Sequence, residues 1–188
     1  MSLNDELLAQ LGESGLQQVA GLLGTDTATA RSVVEAAAGA ITGGLARNAE
    51  TPDGAHALHG ALDRHVDADP FTGDVATLSR DGECILGHVL GSQGTERAAT
   101  GLARFAGVDR GTVAKLLPLI APMIMSLLAD RAARRGMDAG AVADDLDREQ
   151  SAIRDGGLGD MLGELLGGIF GAESAPRGHR RRASSPDW

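Results

Sequence analysis

The chain echoes itself at a distance of 83 residues, and that echo limits what it can fold into more than any other feature. The segment "LLGTDTATARSVVEAAAGAITGGLARNA", beginning at Leu22, lies over "FAGVDRGTVAKLLPLIAPMIMSLLADRA", beginning at Phe105, so that Gly24 and Asp26 fall on Gly107 and Asp109. Glycine ends a helix and aspartate caps the next one, because its carboxylate accepts from the free N–H groups of the first turn. Behind each Asp an apolar stripe follows at helical spacing. Val33, Val34, Ala37, Ile41, Gly44 and Leu45 match Leu116, Leu117, Ile120, Ile124, Leu127 and Leu128. With one inserted residue, "ALDRH" at Ala61–His65 falls on "DLDRE" at Asp145–Glu149. The pattern predicts a duplicated three-helix unit, about residues 14–66 and 95–154, in a single all-α domain.

The two copies differ in volume. The first long helix is built from Ala and Gly, and the second carries Leu, Ile, Met and two prolines. With 27 glycines and only 2% aromatic residues, a core has to come from close approach of small-residue surfaces to large ones. The expectation is that helix 27–48 packs against helix 110–133, with Gly44 and Leu45 on one side and Leu127 on the other. Pro118 and Pro122 sit inside the second helix, where proline removes an N–H and bends the axis. Their missing donors free the carbonyls of Ala114 and Pro118, which then need water, a neighbouring helix or a ligand.

Other helices follow from caps and stops. Asn4 and Gly12 bracket a short one, Ser14 and Gly24 a second, and Thr51 with Pro52 starts a third. Residues 67–82 read as turn-rich, with a short helix near "DVATLS". "GECILGHVLG" and "TERAATGLARFAG" read as further short helices, and Asp138 caps a polar one ending near Arg154. The domain plan is a duplicated body over 1–156, a Gly-rich helix-like segment over 157–171 and a disordered basic tail over 172–188.

Taken together, "ILGHVLGSQ", the Asp-capped segment with "LLPLIAPMIM", the ending "GGLARNA" and "GGLGDMLGELLGGIFG" resemble a bacterial domain-of-unknown-function family, number 937, related to the YidB-like proteins. The resemblance spans roughly residues 3 to 170. It implies an all-α fold in a bacterial, cytoplasmic protein, and it carries no catalytic residues to this chain.

Charge narrows the partners. The net charge is -9, and the last fifteen residues hold four Arg against one Asp, so the body carries 13 basic against 25 acidic residues. A general nucleic-acid binder needs a basic face, and this body lacks one. The single cysteine, Cys84, forms no internal disulfide and fits a reducing compartment. The opening "MSLNDELLAQ" has neither a basic n-region nor a long apolar core, so the expected localisation is cytoplasmic. The apolar run Leu116–Ala129 is shorter than the roughly 20 residues of a span, which predicts a core helix.

Chemistry-bearing candidates are few. His56 and His59, three residues apart and followed by Asp63, could share a metal, but no HExxH or CxxC completes a ligand set, and exposed histidines explain them as well. Cys84 and His88, four apart on a helix expected to be largely buried, could form a nucleophilic pair; a structural thiol and a hydrogen-bonded imidazole are the alternative. No phosphate-binding glycine motif occurs. These residues predict no catalytic centre, no cofactor and no assigned metal. Gly159, Gly163, Gly167 and Gly171 recur every fourth residue. In lipid that spacing lets helices approach closely, but Asp160 and Glu164 interrupt it, leaving a docked segment, a self-association helix or a surface-lying one. The leading expectation is a non-enzymatic interaction or scaffold protein with a protein partner or self-association. A peripheral membrane role for the glycine segment and basic tail, through weak surface contact, is the alternative, followed by a metal-dependent or Cys/His enzyme.

Overall fold

The computed structural model describes residues 2–66, 74–155 and 159–169, and all its regular structure is helical. The order is α1 (Leu3–Leu23), α2 (Thr27–Asn48), α3 (Pro52–Asp63), α4 (Val75–Val89), α5 (Gly91–Ala106), α6 (Arg110–Arg135), α7 (Ala139–Asp155) and α8 (residues 159–169). Asp26, Thr51, Asp109 and Asp138 each accept from the backbone N–H three residues on, at 2.7 to 3.1 Å. Gly24 and Gly107 end their helices in matching left-handed conformations, φ 67, ψ 36 and φ 66, ψ 32. That region is open to glycine and strained for residues with a Cβ.

Two local expectations change. The first helix is capped by Ser2, in a reciprocal box with Asp5, and not by Asn4. Gly12 (φ 62, ψ -174) is non-helical and kinks α1 into two helical stretches, as expected. The separate pieces at "DVATLS" and "GECILGHV" are one helix, α4, capped by Asp74. The tail over 172–188, with Gly171, lies outside the described residues.

Helices α2 and α6 form the centre. All twelve stripe residues named above are buried, and α6 is buried along most of its length, including Pro118 and Pro122. At 26 residues, α6 is long and apolar enough to cross a membrane, so the length argument alone does not dispose of a span. Its apolar side chains are instead enclosed by α1, α2, α4 and α5, with 72% of its most apolar window buried, as in a core helix.

The small-residue surface of α2 does not mainly receive α6. A Cβ on Gly44 would lie 2.6 Å from Val89 and 2.8 Å from Leu90, at the end of α4. A Cβ on Gly39 would meet Leu162 at 2.7 Å, and one on Gly43 would meet Leu166 at 2.8 Å, both from α8. On α5, Gly94 and Gly101 receive Ile169 and Leu165. The C-terminal helix therefore seats its leucines in holes made by glycines of the body, and Arg97 donates to its last carbonyls at Gly168 (3.1 Å) and Ile169 (3.3 Å). Gly163, Gly167 and Gly168 have open space where a Cβ would be, so the glycine edge faces outward.

The prolines of α6 serve the contact with α4. A Cβ on Gly82 would overlap the Pro118 carbonyl and lie 2.6 Å from Pro118 Cα. That carbonyl is the one Pro122 leaves without its helical donor. The Cα–H of Gly82 points at it, a weak donor filling the place of an N–H.

Candidate functional site

Two clusters stand out. The first is polar and filled. Arg131 of α6 is buried, and its guanidinium donates to Asp145 (2.8 Å) and Glu149 (2.7 Å) of α7 and to Glu6 (2.9 Å) of α1. Glu149 also accepts from the Leu3 N–H at 2.9 Å, and Arg135 lies 3.5 Å from Asp145. Burial opposes a charged guanidinium, but the bonds to Glu149, Asp145 and Glu6 outweigh it and hold Arg131 above its ordinary value. The network binds α1, α6 and α7 together. Sequence reasoning missed it, although Asp145 and Glu149, four apart on a helix after "ADRAARR", were the available signal.

The second cluster is a groove of about 710 Å³ between α3 and α4, floored by α2 and α6. Leu45, Leu58, Val89 and Met125 are buried at its base, and Ile85 is half-buried in its wall. Asn48 fixes one end: its side-chain amide donates to the carbonyls of His88 (3.2 Å) and Val89 (3.3 Å), and its own carbonyl lies against Gly54. A side chain on Gly54 would collide with that carbonyl, so glycine is needed here for close approach. Arg64 and His65, ten and eleven residues further along, mark the other end, about 15 Å away at 1.5 Å rise per residue.

The rim is polar. His65 Nδ1 donates to Ala61 O at 2.9 Å and His88 Nδ1 to Cys84 O at 2.9 Å; since a carbonyl only accepts, both Nδ1 atoms carry hydrogen. Arg64 and Asp81 complete the rim, and neither pairs with a described residue.

The other candidates separate. Cys84 and His88 are exposed, contrary to the buried helix expected, because they lie on the α4 face turned away from α6. The bond between them uses the Cys84 carbonyl and does not engage its thiol. His56 bonds to Pro52 O (2.8 Å) on its own helix, whereas His59 Nε2 donates to Met137 O (2.9 Å) and ties α3 to the turn before α7. Asp63 is exposed, and among the described residues no three His, Cys, Asp or Glu side chains are gathered to hold a metal. Pro118 and Pro122 are core residues, as is Leu127, and of the predicted packing residues among those described only Leu45 reaches the groove.

No curated protein and no solved structure matches the chain. The model of a family described as bacterial protein of unknown function, DUF937, matches residues 5–131, a stretch that contains the groove and runs from α1 to Arg131. With two-thirds of its length matched, this chain belongs to the DUF937 family of bacterial proteins.

Proposed function

We propose that the chain is a non-enzymatic helical binding module whose recognition site is the α3–α4 groove. The groove itself carries this reading: an apolar floor, a polar rim and a volume in the range of about 300–1,000 Å³ that ligand sites occupy. The protein-interaction and scaffold readings belong to the same class. Self-association through the small-residue faces of α2 and α5 competes with the chain's own α8, whose leucines fill those holes. In this docked form α8 likewise turns its apolar side inward, away from any lipid surface.

Native mass spectrometry of the protein purified from bacterial cells tests the reading. A bound species should persist with the wild-type chain and be lost from Ala61→Phe, which places a ring in the groove. Equal retention by both, or a bare wild-type chain, would refute it.

A further inference from the structure

We infer that the α3–α4 groove takes a single-chain amphiphile with a carboxylate head, of the fatty-acid class, its chain along the apolar floor and its head at Arg64; this rests on the binding-module reading above. The first support is the relation between the two clusters. Shifted by 83 residues, Asn48 falls on Arg131; shifted by 84, Ala61 and His65 fall on Asp145 and Glu149. Ile85 stands six residues before Gly91 (φ 74), as Glu6 stands six before Gly12 (φ 62). The four members of the buried ionic network thus have the counterparts Asn48, Ala61, His65 and Ile85, and all four line the groove. Charged side chains close the space between α1, α6 and α7, whereas between α2, α3 and α4 the shorter Asn48 and Ala61 stand where Arg131 and Asp145 would, and the groove stays open.

Chemistry of the walls selects the occupant. Leu45, Leu58, Val89, Ile85 and Met125 make the floor apolar, and the polar side chains of the lining, Asn48, Arg64, His65, Asp81, Cys84 and His88, stand at its ends and rim. A ligand with polar groups along its whole length would leave them without partners on the floor. A methylene chain needs none, and the flexible Met125 adapts to it. The groove is long, about 15 Å from Gly54 to Arg64, which suits an extended chain. At its far end the planar guanidinium of Arg64, beside His65, matches a carboxylate fork. Asp81, on the α4 wall, repels an anion and keeps the head on the α3 side.

Isothermal titration calorimetry of the full chain with dodecanoate and with dodecanol, below their micelle or solubility limits, tests this. Dodecanoate should bind saturably at one site. Ala61→Phe, and independently Ile85→Trp from the opposite wall, should weaken it more than about tenfold while retaining the wild-type circular dichroism; two filling variants guard against one failing to fold. Arg64→Gln should weaken dodecanoate about tenfold and leave dodecanol unchanged. No saturable binding of dodecanoate, undiminished binding by a folded filling variant, or equal losses for acid and alcohol in Arg64→Gln would each overturn the assignment. If dodecanoate fails while Ala61→Phe still strips the species retained in native mass spectrometry, the ligand class is wrong and the binding module stands. If filling the groove changes neither, both fall.

Discussion

Gly82→Ala and Gly87→Ala make the same chemical change five residues apart on α4 and should move stability in opposite directions. Alanine is better in a helix than glycine by about 1 kcal/mol, so both variants start with a gain. At Gly87 nothing lies within 4 Å of the new methyl group, and a net gain of about 0.5–1 kcal/mol remains. At Gly82 the methyl group would overlap the Pro118 carbonyl and lie 2.6 Å from Pro118 Cα. Those are backbone atoms, which cannot rotate aside, so α4 has to withdraw from α6. Overpacking of this kind costs about 1–3 kcal/mol. Withdrawal also loosens Leu86 and Val89, which are 2% and 8% exposed on the same side of the helix, at about 1 kcal/mol each for partial exposure. Set against the helical gain, the net loss is about 2–4 kcal/mol, or roughly 4–16 °C in melting temperature for a chain of this size. Thermal and urea denaturation followed by circular dichroism measures both variants. A Gly82→Ala protein melting at or above the wild type would refute the close approach of α4 to Pro118.

Further outcomes follow from the same contacts. Arg131→Met leaves Glu149 buried without a cation and Asp145 with only the exposed Arg135, and should cost about 3–5 kcal/mol in urea denaturation; adding Asp145→Leu and Glu149→Leu should recover part of that loss. Leu162→Ala empties the hole at Gly39 and should weaken α8 docking by about 2–4 kcal/mol, seen as faster amide exchange over 159–169, whereas Gly163→Ala, pointing into open space, should slow that exchange. The Thr29 backbone N–H, then its side chain, hold the Asp26 carboxyl below its ordinary 3.8. Its folded value is therefore lower than its unfolded one, and its contribution is present above the unfolded value and lost as acid protonates it. Asp26→Ala should melt lower than wild type at neutral pH, with the gap closing below pH 3.8.

Local signals carried the helices: glycine stops, aspartate caps and period-3.6 stripes are written within a few residues of where they act. Asp26, Asp109 and Asp138 cap as their positions imply, and the stripes on α2 and α6 are buried. The partners of those stripes were less legible. Gly44 is a packing residue, but which knob fills it depends on where α4 ends, and that depends on tertiary geometry. The glycine spacing of α8 pointed to a glycine-faced contact, yet the leucines between those glycines make the contact and the body's glycines receive them. The groove was legible only in fragments. Asn48, Ala61, His65 and Ile85 come from three helices, and an open space is a property of what side chains fail to fill. The Arg131 network was equally dispersed, from Glu6 to Glu149, across nearly the whole chain.

The meeting of Gly82 with Pro118 also bears on how such a sequence can change over time. Restoring an ordinary residue at Pro122 returns an N–H donor to the Pro118 carbonyl, which then no longer needs the Gly82 contact. Enlarging Gly82 alone collides with the Pro118 carbonyl that Pro122 leaves without a donor. Neither position can drift by itself without passing through a less stable protein, so the two form an epistatic pair forty residues apart. Homologues should keep both or abandon both, and a chimera that joins an α4 from one kind to an α6 from the other should be the combination that folds worst.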